Sequence, residues 1–234
     1  VAAVVSETET HTKKFFLDPK LLPAMAALDP SLMAGLPREI TAATGMDALT
    51  HAVESFVADT STPQTERWAE AAVRLIFQTL PRACAEGGDL EARKGMALAA
   101  YYAGLAFTRT SVGYVHAIAH TFGAYYGTPH GMANAIALPH VLAFSRVEAE
   151  PRLARLGEII GCEGSSDTDR AQAFIDAVRA LMAEIGIPGK LAALKPDDIP
   201  AIARQALSEA HLNYPVPRYM SQPECEGILR EILA

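Results

Sequence analysis

The sequence predicts a mainly α-helical, multi-helix bundle with one β-strand at its N-terminus. Three observations carry that expectation. From Ser31 onward Ala, Leu, Met, Glu and Arg dominate, and apolar residues recur at three- and four-residue spacing, as in Trp68, Ala71, Ala72 and Leu75. The opening Val1-Ala2-Ala3-Val4-Val5 is a short run rich in β-branched residues. Half of the 234 residues are hydrophobic and a fifth charged, which is enough apolar material for a sizeable core.

The elements follow in order. The run at 1–5 reads as a strand whose sheet partners are missing, and it lacks the basic flank of a signal peptide. Ser6–Lys14 is polar, and Asp18-Pro19 and Asp29-Pro30 mark turns or helix starts, because the residue before proline is pushed out of the helical region. The periodicity predicts helices over 40–58, 64–80, 89–109, 113–126, 131–145, 150–160, 168–185, 197–208 and 222–233. Pro81 should break or kink the second of these, and Gly87-Gly88, Gly161–Ser166 and Gly186–Gly189 should be loops.

Charge narrows the partners. With 27 acidic against 20 basic side chains and a net charge of −7, there is no basic surface to neutralise phosphates, so neither nucleic acid nor an anionic membrane is expected. No apolar run approaches the ~20 residues that span a bilayer. The three cysteines, Cys84, Cys162 and Cys225, are odd in number and far apart, which points to a reducing, cytoplasmic setting and to their service as small hydrophobes.

Four of the seven histidines fall in three compact words: Asp47-Ala-Leu-Thr-His51, His116-Ala-Ile-Ala-His120, and Thr128-Pro-His130-Gly-Met-Ala-Asn134. Residues four apart on a helix share a face at about 6 Å, so Asp47 with His51, and His116 with His120, can converge on one ion. His130 follows Pro129 at a helix start, one tight turn around Gly127 after the second word. Singly, an Asp and a His at this spacing are more often a surface hydrogen-bonded pair, and His116 and His120 can be satisfied core histidines. Together they would cost several kcal/mol to bury without a shared partner. A divalent cation is such a partner, and a nitrogen and oxygen set without thiolate suits Fe(II) or Zn(II).

The words Thr44–Glu54, His116–His120 and Thr128–Val141 resemble those of the iron-containing (group III) alcohol dehydrogenases, with further likeness at Asp18-Pro19, Asp29-Pro30 and Leu36-Pro37. The likeness is close over residues 1–145 and looser beyond. It implies the helical domain of the dehydroquinate synthase-like fold, and a metal held by Asp47, His51, His116 and His130. It also implies a catalytic place for His120 beside substrate and nicotinamide. The activity implied is hydride transfer between a small alcohol or aldehyde and NAD or NADP, with a homodimer as the common assembly. Two departures stand out. The Gly-rich pyrophosphate loop of the family's nucleotide-binding domain has no counterpart, and the family's Asn-Pro-Arg word appears only as Asn213-Tyr-Pro-Val-Pro-Arg218. Residues 1–17 are therefore expected to be a remnant of that nucleotide-binding domain and 18–234 the metal-binding domain, with NAD or NADP bound through the missing part and the chain alone inactive. A metal-dependent lyase or hydrolase, or a non-catalytic metal-stabilised domain, are the alternatives.

Remaining residues take plainer readings. Phe107, Phe122 and Tyr125 are candidates to line a pocket. His140 is structural, His11 and His211 lie in polar segments without partners, Trp68 fits a buried helix face, and Glu54 and Asp59 read as solvated or capping groups.

Overall fold

The computed structural model describes residues 2–7 and 12–234. Its first elements are two strands, β1 (Ala2–Glu7) and β2 (Thr12–Leu17), paired antiparallel with Ala2 opposite Leu17 and Glu7 opposite Thr12. The N-terminal strand thus finds a partner in the very next segment, part of which the sequence presents as merely polar. Val1 and His11 lie outside the described residues. The two Asp-Pro steps begin short 3-10 turns at Pro19–Leu21 and Pro30–Met33, the second capped by the Asp29 side chain on the Ser31 N–H.

Eight α-helices follow among the described residues: α1 (Arg38–Val57), α2 (Pro63–Ala85), α3 (Leu90–Thr110), α4 (Tyr114–Tyr126), α5 (His130–Ile159), α6 (Asp167–Ile185), α7 (Ile199–Asn213) and α8 (Gln222–Ile232). Side chains set their starts. Thr62 and Thr65 form a capping box at α2, Asp89 accepts from the Ala92 N–H at α3, and Ser166 accepts from the Asp169 N–H at α6. Gly127 (φ 64°) and Gly186 (φ 83°) close α4 and α6 in the left-handed conformation that glycine adopts without strain.

Prolines break less than the sequence predicts. Pro81 lies inside α2, which runs on to Ala85, and the segments expected at 131–145 and 150–160 are one helix, α5, containing Pro139 and Pro151. Each proline forfeits one backbone hydrogen bond, but burial on both sides holds the helix together. Leu80, Ala83 and Cys84 flank Pro81, while Leu138, Val141 and Leu153 belong to the core around α5.

The core is assembled from the inner faces of α1, α4 and α5, with α2, α3, α6, α7 and α8 around them. Nearly every residue of α4 from Tyr114 to Phe122 is buried. Small residues let these helices approach closely: a side chain at Gly131 of α5 would collide with the Ala43 carbonyl of α1. That contact brings the start of α5 against the N-terminal third of α1. Trp68 is half-buried against the core under the Arg109 guanidinium, Cys84 and Cys225 are buried, and all three cysteines are free. Among the described residues no helix is long and apolar enough to cross a membrane.

Candidate metal centre

The three words meet at one carboxylate. Asp47 and His51 lie one turn apart on α1, His116 on α4, and His130 is the first residue of α5, turned back by the short Gly127–Pro129 link. The Asp47 Oδ1 atom lies 3.8 Å from His51 Nδ1, 3.7 Å from His116 Nε2 and 3.5 Å from His130 Nε2. The ligand atoms of Asp47, His51 and His116 fall within 4.8 Å of one another. His116 Nε2 is buried and has no hydrogen-bond partner, although it faces this cluster. Such an orphaned nitrogen, aimed at a carboxylate too far for a hydrogen bond, is the arrangement a cation between them would satisfy.

A shell of buried groups orients the cluster. Glu54, expected in solvent, is buried: Oε1 accepts the Val115 N–H at 2.7 Å and Oε2 faces His116 Nδ1 at 2.6 Å. The reason is its place on α1, seven residues after Asp47 and three after His51, so it shares their inward face. The carboxylate also meets the N-terminus of α4, whose unpaired N–H groups and dipole favour a negative charge. Asn134, one turn after His130, donates through Nδ2 to Asp47 Oδ1 at 2.6 Å. Phe107 of α3 stacks on the His51 ring at 4.1 Å between centroids.

Electrostatics follow the crowding. Burial, aided by charge on His116, pushes the His51 pKa down to about 3. Burial also disfavours charge on His116, but the Glu54 and Asp47 carboxylates outweigh it and lift that pKa to about 9. For Asp47 burial opposes ionisation, yet interaction with His116 and the nearby His51 and His130 brings its pKa down to about 2. The raised His116 and the depressed Asp47 thus favour a charged pair at the point where the imidazoles converge.

His120 lies beside the cluster, its ring stacked on His130 at 5.3 Å and its Nδ1 2.7 Å from Glu209 Oε1 of α7. Burial resists ionisation of Glu209, but hydrogen bonds from His120 and Tyr214 prevail and keep its pKa below the ordinary carboxylate value. A cavity of about 890 Å³ opens over these residues, walled by His51, His116, His120 and His130 on one side and by Phe107, Ser111 and Tyr214 on the other. Of the aromatic residues expected around a pocket, only Phe107 lines it; Phe122 is fully buried in the core and Tyr125 is exposed at the surface. His211 also lines the cavity and, contrary to the sequence reading, has a partner, the Tyr114 hydroxyl at 2.9 Å. His140 pairs with Glu231 at 3.0 Å, away from the site.

Glu54, Asn134 and Glu209 are the site residues the sequence reading missed. Glu54 and Asn134 carry a helical-spacing signal, seven after Asp47 and four after His130. Glu209 carries none, since 89 residues separate it from His120.

Comparison with known proteins finds relatives over most of the chain. Residues 41–233 match the model of the Fe-containing alcohol dehydrogenase family, C-terminal. The 1,3-propanediol dehydrogenase of Klebsiella pneumoniae is 40% identical over 232 residues, covering 97% of this chain and 60% of that protein. The NAD-dependent methanol dehydrogenase of Bacillus methanolicus is 39% identical over 211 residues, covering 88% and 55%. A crystal structure of 1,3-propanediol oxidoreductase superimposes with a TM-score of 0.93 at 39% identity, over 99% of this chain and 62% of that one. A sulfoacetaldehyde reductase from Bifidobacterium kashiwanohense, solved in complex with NAD+, gives 0.89 at 28% identity over 99% and 60%. The chain therefore spans 55% to 62% of the length of these relatives. With a mainly helical bundle that gathers the family's words around one carboxylate, and a family match over most of its length, the chain belongs to the Fe-containing alcohol dehydrogenase family.

Proposed function

We propose that this chain is the metal-binding part of an NAD(P)-dependent alcohol dehydrogenase, with Asp47, His51, His116 and His130 as ligands of one divalent cation and His120 as the proton-handling residue. The observation that carries the proposal is the convergence of three separate segments on Asp47 Oδ1, with the buried His116 Nε2 left without a partner. Three imidazoles and a carboxylate fit Fe(II), the ion of the family's name, and would also accept Zn(II).

When bound, the cation supplies Lewis-acid polarisation of an alcohol or carbonyl oxygen and a nicotinamide supplies the hydride exchange. The chain's own residues do the rest. Glu54 holds His116 with Nδ1 protonated and Nε2 facing the cluster, and Asn134 fixes the Asp47 carboxylate. The stacked Phe107 restrains the His51 ring. His120, on the cavity wall, carries the hydroxyl proton between substrate and solvent. The cavity takes a small alcohol or aldehyde. NAD is favoured over NADP by the relatives whose printed names specify it. In the whole protein, residues 1–17 belong to the nucleotide-binding domain and 18–234 to the metal domain, and the assembly is a cytoplasmic homodimer.

Elemental analysis after anaerobic purification is the direct test. One iron or zinc per chain is expected, falling to a small fraction of that in Asp47→Ala and His116→Ala. An unchanged metal content in both variants would refute the ligand set. NADH formation from short primary alcohols by the full-length protein tests the reaction; metal uptake with no turnover of any alcohol would favour a lyase or hydrolase instead.

A further inference from the structure

We propose that Glu209 is a positioning residue for the reaction: its carboxylate locks His120 in the Nδ1–H tautomer, so that the lone pair on Nε2 is the one offered to the substrate hydroxyl. The inference rests on the reading of His120 as the proton-handling residue and names what aims it.

The geometry leaves little freedom. Glu209 Oε1 receives two contacts, from His120 Nδ1 at 2.7 Å and from the Tyr214 hydroxyl at 2.5 Å. An ionised carboxylate only accepts, so both neighbours must donate, and the proton at this edge of the imidazole belongs to Nδ1. Tyr214, just beyond α7, is half-buried, and the Asn213 side chain ties back to the Glu209 carbonyl at 2.8 Å, so the end of α7 is braced where the carboxylate stands. The His120 ring is held on its face as well, stacked on His130 at an interplanar angle of 16°.

The same construction appears one turn earlier on α4. His116 Nδ1 meets Glu54 and its Nε2 faces the metal cluster; His120 Nδ1 meets Glu209 and its ring lines the cavity. Both histidines of the HxxxH word are thus set by a carboxylate reaching in from another helix, one to bind and one to take a proton. In the oxidation direction the substrate O–H bond breaks and its proton forms the new Nε2–H bond, while the oxygen keeps the electron pair. His120 becomes an imidazolium whose charge Glu209 opposes, and Nε2 then passes the proton to water.

The test is the tautomer itself. In the chain labelled with ¹⁵N-histidine, recorded with and without Zn(II), the two-bond nitrogen–proton pattern of His120 should be that of the neutral Nδ1–H form. In Glu209→Ala it should switch to the Nε2–H form that histidine prefers in solution. In the full-length protein the same variant should lose kcat on the order of 100-fold with KM little changed, the scale of a displaced general base. A wild-type His120 already protonated on Nε2, or an Nδ1–H form that survives in Glu209→Ala, would overturn the proposal. The wild-type spectrum decides even if the variant fails to fold. Zinc uptake measured by calorimetry on the same sample reports separately on the metal reading, so the two failures are distinguishable.

Discussion

Replacing Glu54 by glutamine is nearly isosteric, and if the proposed metal centre is right it should nonetheless damage it. The carboxylate serves two donors at once, the Val115 N–H at 2.7 Å and His116 Nδ1 at 2.6 Å. A glutamine has one acceptor oxygen and one donor nitrogen. If the oxygen stays on Val115, the amide nitrogen meets His116 Nδ1, which must then become the acceptor; the imidazole proton moves to Nε2 and occupies the lone pair turned toward Asp47. If the amide flips, its N–H₂ opposes the Val115 N–H and a buried donor is left unmet. Either route loses one bond to a charged group, worth about 1.5–3 kcal/mol. For a chain of this size that corresponds to a fall in Tm of roughly 3–12 °C. Loss of a carboxylate partner behind a metal-binding histidine weakens metal binding about 10- to 100-fold. The assay is a chelator competition for Zn(II) beside urea unfolding of the metal-free chain. A Zn(II) affinity within twofold of wild type would refute the reasoning, because it would mean that His116 needs no partner at Nδ1.

Four further outcomes are expected. Metal uptake should be proton-coupled: with the metal-free His116 pKa lifted to about 9 by Glu54 and Asp47, an entering cation must displace that proton, so affinity should rise about tenfold per pH unit from near pH 7 and level off near pH 9. The stability of the metal-free chain should show the opposite sign at this residue. The raised His116 pKa contributes fully below its ordinary 6.5 and is lost as pH rises through 9, whereas the depressed His51 pKa contributes above 6.5 and is lost as pH falls toward 3; urea midpoints across pH 4–10 check both. Ser111→Gly should stabilise the fold, since φ 67° and ψ −168° are a glycine conformation costing other residues about 1–3 kcal/mol; a lower melting temperature would count against it. Gly131→Ala should do the reverse, driving a methyl into the Ala43 carbonyl and separating α5 from α1, so that Zn(II) binding falls together with thermal stability.

How much of this was legible in the sequence depends on the range over which each residue's surroundings are determined. Asp47 with His51 and His116 with His120 declare themselves, because helical spacing alone puts each pair on one face. Starts and ends set by local chemistry, such as Thr62, Asp89, Ser166, Gly127 and Gly186, fall within a few residues of where the sequence places them. The prolines mislead for the opposite reason. Pro81 reads as a breaker and Pro151 as the start of a new helix by local rules, yet α2 and α5 run on through them with buried residues on either side. Strand β2 is hidden in the same way, since part of its run reads as polar until β1 pairs with it.

The carboxylates around the site show where that limit lies. Glu54 shares the inward face of Asp47 and His51, but its role as an acceptor is set only where α4 starts directly against it, 61 residues further along, and offers the Val115 N–H. Glu209 and His120 have no sequence relation at all, and α7 must dock on α4 before either has a role. Asp47 and His51 mark one another within α1, because two groups that converge from one helix must share a face. A residue that orients a ligand needs only to reach it from elsewhere, and three-dimensional packing alone decides which carboxylate does so. Glu54 and Glu209 should therefore tolerate change only if the partner histidine changes with them.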